Sequence, residues 1–224
     1  MILDAVRNNA EWCEAMCRAH GHSGVFGKEA WTSARRTPSL YPDAVTLLPH
    51  ANQAAILGLI DTQPGCSIKD SYAQLDLSSA GFELIIRAHW IYRQADCPAA
   101  PSPIPWSAVD TAEGLAAWAT AWNGGPTDLF RPELLDFPAA RVLAAYRDGT
   151  IVAGAVAYHT GPVIGVSNLF TVDGDLDAAW AGVLSALPGQ HVVGYETGPA
   201  LAAALRLRFA LIGPLRVWLR KPPV

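Results

Sequence analysis

The sequence predicts an α/β protein built on a mixed β-sheet, and three observations support this fold class. Strand-like apolar runs alternate along the chain with segments of helical periodicity. Hydrophobic residues make up 51% of the 224 residues and charged residues only 16%, a balance that excludes disorder and supplies a full core. Prolines concentrated in residues 94–106 restrict the backbone and predict an extended connector there. The predicted organisation is an amino-terminal half over residues 1–93 and a second half over residues 107–224.

The amino-terminal half is predicted to contain two helices and three short strands. Its first helix is expected to begin with Asn8, with a glutamate three residues later, and to end at Gly21. The later elements, in the order strand, helix, strand and strand, are expected at residues 44–48, 53–60, 67–75 and 82–93. The order of turn, strand and aromatic residues over 65–93 is similar to that over 189–220. This similarity predicts a degenerate duplication, and chance similarity of short strand-like segments is the alternative.

The carboxy-terminal half has a clearer order of elements: helix, three strands, helix, strand, helix and strand. Asp110 begins the first of these helices in a capping-box pattern. Asp148-Gly149 predicts a hairpin between the first two strands. The strands are expected at residues 141–146, 151–158, 163–172, 191–196 and 209–219, and the later helices at 173–187 and from Pro199 onward.

Several segments of the carboxy-terminal half share their order and apolar pattern with a known family. They are a meander ending in Gly165-Val166-Ser167-Asn168-Leu169-Phe170-Thr171, a helix through Trp180, the segment Val193-Gly194-Tyr195-Glu196, and the closing segment 205–213. In this order they resemble the GNAT superfamily of acyl-CoA-dependent N-acyltransferases. The resemblance implies that the strands at 163–172 and 191–196 splay apart. It also implies that an acyl-CoA inserts into the splay, with its pyrophosphate at the start of the following helix.

The resemblance implies a cofactor site on the first splayed strand and the loop after it. Acetyl-CoA or another acyl-CoA would contact residues of this segment, which are Leu169, Phe170, Thr171 and Gly174. The function that follows is transfer of an acyl group to a small amine.

Polar residues in the two apolar strands are the candidates for the reaction, because a buried polar group needs a partner or a purpose. Ser167 and Asn168 interrupt one strand and are candidates for substrate binding. Glu196 ends the other strand and is the candidate general base, with Tyr195 as the candidate proton donor. The alternative is that Ser167 and Asn168 satisfy backbone groups while Glu196 lies at a solvated strand end.

Two features depart from the family pattern. Where the family has Arg or Gln followed by glycines, this chain has Asp173-Gly174-Asp175-Leu176-Asp177, whose carboxylates cap a helix well but repel a pyrophosphate. The tyrosine that many members carry before the last strand is missing, and Arg208 replaces a glycine. These departures support an alternative function, a catalytically silent protein that binds a ligand or a protein partner in the same cleft.

Charge and composition limit the other partners. A formal net charge of −4 creates no field that would recruit nucleic acid or an anionic membrane. The sequence shows no signal peptide and no apolar run of about 18 residues, so a cytoplasmic protein is expected. Cys13, Cys17, His20 and His22 lack a second ligand pair at zinc-finger spacing, and no metal is expected. A small-molecule substrate is expected, and a homodimer is left open.

Overall fold

A computed structural model describes residues 1–98, 101–102 and 104–222 of the chain. The strands of this part are β1 (Val25–Phe26), β2 (Ala30–Thr32), β3 (Ala44–Thr46), β4 (Ser67–Asp70), β5 (Phe82–Arg93), β6 (Trp106–Val109), β7 (Ala140–Arg147), β8 (Thr150–Thr160), β9 (Val163–Thr171), β10 (His191–Glu196) and β11 (Ala210–Arg220). The α-helices are α1 (Ile2–Ala19), α2 (Gln53–Leu57), α3 (Ala112–Asn123), α4 (Leu176–Ala186) and α5 (Gly198–Arg206). Two short 3-10 helices cover Ser78–Ala80 and Pro132–Asp136.

All of these strands belong to one mixed sheet, in the order β1-β2-β3-β4-β11-β5-β10-β9-β8-β7-β6. Two neighbouring pairs are parallel, β3 with β4 and β9 with β10. The remaining pairs are antiparallel. The α/β fold class with a mixed sheet is thereby confirmed. The strands of the two predicted halves are joined into one sheet.

The junction between the halves is the antiparallel pair of β5 and β11, the last strand of each half. Their register extends from Ala210 opposite Tyr92 to Arg220 opposite Phe82. Strands of eleven and twelve residues offer a long edge of backbone donors and acceptors, and pairing the two edges removes both from solvent. Each last strand therefore lies in the middle of the sheet.

Helices cover both faces of the sheet. On β7, Val142 and Ala144 pack in a core cluster with α1 and α3, whereas Leu143 between them packs with α4 and α5. Successive strand residues point to opposite faces, so α1 and α3 lie on one face and α4 and α5 on the other. Among the described residues, no helix has both the length and the apolar character needed to cross a membrane.

Several predicted boundaries differ from the structure. Helix α1 begins at Ile2 instead of Asn8. Asn8 lies within the helix, and its buried side chain donates to a carbonyl oxygen of the sheet instead of capping the helix. Thr111 caps α3 in place of Asp110, accepting a hydrogen bond from the Gly114 N–H at 3.1 Å. The strand expected at residues 67–75 ends at Asp70, whose carboxylate accepts hydrogen bonds from the turn that follows.

The connector differs at its end. Trp106, the last residue of the predicted extended segment, begins the edge strand β6. Residues 99, 100 and 103 of that segment lie outside the described residues.

Candidate functional site

The site is built where β9 and β10 separate. The two strands pair only over Val163–Gly165 and His191–Val193. Asn168 has a φ of 55°, and the register between β8 and β9 shifts at this point, which marks a β-bulge. Beyond Gly165 the edge of β9 therefore has no strand partner on β10. The predicted splay is present, and the opening between the two strands is called the wedge below.

Helix α1 crosses the sheet at the point where the wedge opens. A Cβ atom on Gly165 would lie 1.7 Å from the Asn8 Oδ1 atom, so only glycine allows the helix to approach this closely. The Asn8 side-chain amide donates to the Tyr158 carbonyl oxygen at 2.7 Å and fixes the helix to β8. One face of the wedge is therefore covered by the amino-terminal half.

A cavity of about 260 Å³ fills the wedge on this face and is called the wedge cavity. Both halves of the chain contribute to its wall. The first half contributes α1, β4 and the loop that precedes β3, and the second half contributes β9 and β10. The lining residues are Asn9, Trp12, Cys13, Leu40, Tyr41, Pro42, Lys69, Trp122, Val166, Ser167, Asn168, Leu169, Tyr195 and Glu196.

Glu196 and Tyr195 both reach the wedge cavity. Successive residues of a regular strand point to opposite faces, but Glu196 is the last residue of β10, where the regular alternation ends. Burial raises the pKa of the Glu196 carboxyl from 4.5 to about 7, with no charged neighbour contributing. The carboxyl therefore changes protonation near neutral pH, as a general base requires.

Tyr195 is held by two neighbours. Its ring packs edge-on against Trp90, with ring centroids 5.5 Å apart. The Lys69 ammonium lies 4.3 Å from the centroid of the same ring, a cation–π contact. These contacts fix the ring at the wall of the wedge cavity.

Ser167 and Asn168, whose role in substrate binding stays a prediction, also line the wedge cavity. The Tyr41 hydroxyl donates to the Asn168 Oδ1 atom at 3.2 Å. Burial raises the pKa of Tyr41 well above its ordinary value of 10, so this phenol keeps its proton at neutral pH. Tyr41 is thus a second phenol at the site, besides Tyr195.

The residues predicted to hold the cofactor are distributed over three environments. Leu169 lines the wedge cavity. Phe170 packs edge-on against Trp118 at 5.3 Å, on the face covered by α1 and α3. The Thr171 hydroxyl donates to Asp173 at 2.6 Å, and Gly174 adopts a left-handed φ of 83° in the loop before α4.

The acidic segment before α4 acts as a cap, and arginines partly compensate it. Asp175 is the N-cap of α4 and accepts from the Ala178 N–H at 2.9 Å. Asp173 lies 3.6 Å from Arg147. Asp177 accepts two close hydrogen bonds from Arg206, at 2.8 and 3.0 Å. The start of α4 therefore carries one uncompensated negative charge instead of the three that the sequence suggested.

Sequence reasoning missed several side chains of the wedge cavity, among them Lys69, Asn9 and Tyr41. The only available signal for Lys69 was its place inside the strand predicted over residues 67–75. Tyr41 lies in a long loop over residues 31–42, a length at which binding segments occur. Asn9 could not have been found, because its helix had been expected to begin at Asn8 and its role depends on the packing of α1.

The four residues weighed as metal ligands do not meet at one point. Cys13 lines the wedge cavity, and burial raises the pKa of its thiol. The His20 ring nitrogen contacts the Leu129 carbonyl oxygen at 2.8 Å instead. His20 and His22 line a separate cavity. Within residues 1–98, 101–102 and 104–222, no group of three or more His, Cys, Asp or Glu side chains could hold a metal ion.

Comparison with known proteins gives matches in structure but not in sequence. No family model and no curated protein sequence matches this chain. A GCN5-related N-acetyltransferase from Kribbella flavida superposes with a TM-score of 0.61 at 14% identity, over 98% of this chain and 96% of that chain. A putative acetyltransferase from the GNAT family of Novosphingobium aromaticivorans superposes with a TM-score of 0.59 at 15% identity, over 99% and 100%.

A third match has nearly the same extent. A GCN5-related N-acetyltransferase-like protein from Streptococcus suis superposes with a TM-score of 0.52 at 14% identity, over 95% of both chains. These matches cover both the amino-terminal half and the carboxy-terminal half of the chain. The chain has the fold of the GCN5-related N-acetyltransferases, the GNAT fold.

Proposed function

We propose that this protein transfers an acyl group from acyl-CoA to the nitrogen of a small amine bound in the wedge cavity. The observation that carries the proposal is Glu196, a partly buried carboxyl with a pKa raised to about 7, at the end of a splayed strand. The GNAT fold of the chain supports the same class of reaction, although a fold alone does not determine function.

The wedge fits the acyl donor in part. The edge of β9 beyond Gly165 has no partner on β10, and an extended ligand with amide groups can pair with such an edge. At the start of α4, helix amides favour an anion, whereas the uncompensated carboxylate of Asp175 disfavours it. Acyl-CoA, when bound, supplies an acyl group activated as a thioester. Leu169, Thr171 and Gly174 are the residues that would hold it.

The role of the chain's own groups follows from their protonation. A Glu196 oxygen accepts a proton from the ammonium form of the acceptor, which exposes the nitrogen lone pair. The Tyr195 phenol lies at the same cavity and can donate a proton, whereas the Tyr41 hydroxyl donates a hydrogen bond to Asn168 and keeps its proton. Burial strengthens every such interaction, because the effective dielectric constant falls.

The test is an acyl-transfer assay in which release of the CoA thiol is followed with acetyl-CoA and longer donors and a panel of amines. Glu196→Gln keeps the size of the side chain and removes its basicity. We expect the variant to turn over 10²- to 10⁴-fold more slowly, and the wild-type rate to rise with pH up to about 7. Undiminished turnover of the variant across the pH range would exclude Glu196 as the base.

A second candidate function is a silent binder that uses the same cavity. It is favoured by the uncompensated carboxylate of Asp175 at the start of α4, where the donor's pyrophosphate would lie. A thermal-shift screen with acetyl-CoA, CoA and longer acyl-CoAs separates the two candidates, because a ligand at 100 times its Kd stabilises a protein by about 2.7 kcal/mol. A silent binder would show no donor-dependent shift and no transfer.

A further inference from the structure

Lys69 is a buried ammonium at the wall of the wedge cavity. Its side chain is only 4% exposed. The Nζ atom donates to the Asn9 Oδ1 atom at 2.7 Å and lies over the Tyr195 ring. These two neighbours are neutral. In the described part of the chain, no carboxylate lies within ion-pair distance of Lys69.

The other buried charged side chains have stronger partners. Asp43 is paired with Arg36 at 2.6 Å. Asp70 accepts from two backbone N–H groups at 2.8 and 3.4 Å. Arg93 donates to two backbone carbonyl oxygens at 2.7 and 3.0 Å. A buried charge normally needs a charged partner or several hydrogen bonds, and Lys69 has one hydrogen bond where each of these three side chains has at least two.

Nearby acidic groups of the chain do not supply the missing charge. Cys13 lines the same cavity, but burial raises the pKa of its thiol, which stays neutral. Glu196 lines the cavity as well, yet no charged group contributes to its raised pKa. The described residues therefore supply no counter-charge to Lys69, and a bound anion can supply one.

A largely apolar groove of about 480 Å³ meets the wedge cavity at Lys69, and its lining also includes Arg36, which is already paired with Asp43. The two spaces share five lining residues, which are Leu40, Tyr41, Pro42, Lys69 and Tyr195. The side chains of β5 and β11 that line the groove are aliphatic: Ile85, Ile86, Val217 and Leu219. The Ile85 side chain is 44% exposed although large and apolar. Such a groove beside a small polar cavity is typical of a site for a ligand with an apolar body and one charged end.

We propose that Lys69 binds the carboxylate of an acceptor substrate whose apolar body lies in this groove. The acceptor is then an amino carboxylate with an apolar side chain, whose amine reaches the wedge cavity. This identification of the acceptor rests on the proposed acyl transfer, whereas the carboxylate site itself does not. The ligand carboxylate completes the ion pair that Lys69 lacks, and Asn9 and Tyr195 keep the ammonium in place.

The first experiment measures binding without any acyl donor. Calorimetry compares 3-phenylpropanoate with its neutral amide, 3-phenylpropanamide. We expect the carboxylate to bind at least about tenfold more tightly than the amide, because a hydrogen bond to a charged group contributes more free energy than one between neutral groups. Lys69→Met should remove this preference, and Lys28→Met, which changes an exposed lysine outside both spaces, should keep it. Equal affinities in the wild type, or a preference retained in Lys69→Met, would overturn the site.

A measurement on the unchanged protein covers the case in which Lys69→Met does not fold. The chain has three lysines, at positions 28, 69 and 221, so selectively labelled lysine side chains give few NMR signals. Lys28→Met and Lys221→Met assign two of them. Titration with 3-phenylpropanoate should shift the Lys69 signal alone. A shift at the other lysines only, or at none, would contradict the proposal.

The acceptor class is tested by turnover with the best acyl donor. L-Phenylalanine should have a kcat/KM at least about tenfold above that of 2-phenylethylamine, which lacks the carboxylate. Equal values would overturn the acceptor class while leaving acyl transfer intact. Carboxylate-dependent binding without transfer to any amine would support the Lys69 site and overturn the proposed function.

Discussion

Glu196 and Lys69 show how single charged groups respond to the same cavity in different ways. The Glu196 carboxyl has no charged partner, and burial favours its protonated form. Lys69 is more deeply buried, but Asn9 and the Tyr195 ring interact with its charge. The first group is suited to exchanging a proton and the second to holding an anion.

The raised pKa of Glu196 predicts a dependence of stability on pH. Below pH 4.5 the carboxyl is protonated in both the folded and the unfolded state, so its burial costs little. As the pH rises through about 7, the unfolded state loses the proton first, and the free energy of unfolding falls by up to about 3 kcal/mol. Glutamine does not titrate, so in Glu196→Gln the free energy of unfolding does not fall in this way. Denaturant titrations at pH 4 and pH 8 should therefore show the variant gaining relative to the wild type at the higher pH. A difference independent of pH would contradict the raised pKa.

The packing of α1 on β9 is a second feature that depends on one residue. In Gly165→Ala the new methyl group would collide with Asn8, which is held by its bond to Tyr158. We expect a loss of about 1–3 kcal/mol in the free energy of unfolding from overpacking, together with a displaced helix. Gly125→Ala is the control, because nothing lies within 4 Å of its Cβ position. Adding Asn8→Ala to Gly165→Ala should recover part of the loss, and failure to do so would place the strain elsewhere.

At the scale of elements, the start of α4 combines a stabilising cap with a charge that opposes the donor. Asp175 accepts the hydrogen bond that caps α4. Asparagine caps a helix about as well as aspartate, so Asp175→Asn removes the charge and keeps the cap. The substitution therefore separates the two effects of this side chain.

We expect acetyl-CoA to bind the wild type weakly. We expect it to bind Asp175→Asn about two- to fivefold more tightly, which corresponds to the interaction energy of one exposed charge. Thermal unfolding should show a change of less than about 0.5 kcal/mol. Calorimetry in moderate salt measures the affinity, with Asp110→Asn, an exposed aspartate outside the wedge, as the control. Low-micromolar binding by the wild type would show that the repulsion is negligible. An unchanged affinity would mean that the pyrophosphate does not lie at the start of α4.

How far the sequence could predict these elements depends on whether local signals determine them. The hairpin at Asp148-Gly149 and the helix cap before α4 follow from neighbouring residues, and both were predicted. The start of α1 was not predicted. Asn8 looks like a helix cap in the sequence, but its side chain bonds to Tyr158, which is 150 residues away along the chain. The candidate residues on β9 and β10 were chosen because they are polar residues in apolar strands, and the resemblance implied that the two strands splay around one cleft. Lys69 and Tyr41 were missed because only the folded chain brings them to the wedge.

At the scale of the whole molecule, the sheet has an internal symmetry that a duplication would explain. The parallel pairs β3–β4 and β9–β10 lie on either side of the central pair β11–β5. Tyr195 lies opposite Trp90 on one side, and Ile68 lies opposite Trp218 on the other. Each half thus places its last strand beside the next-to-last strand of the other half, β11 beside β4 and β5 beside β10. The degenerate duplication stays a prediction, and this arrangement is its structural support.

Because the last strand of each half lies beside strands of the other, we expect the chain to unfold in one cooperative transition. Leu215 on β11 is 1% exposed and packs in a cluster with residues of α1, β5 and β10. Leu215→Ala should lower the free energy of unfolding by about 2–5 kcal/mol and destabilise both halves equally. Urea titrations followed by far-UV circular dichroism and by tryptophan fluorescence should give coincident curves. Hydrogen exchange should show the loss of protection at β4 and at β10 together. Separate transitions, or protection lost in one half alone, would mean that the halves fold independently and that the β5–β11 pair does not couple them.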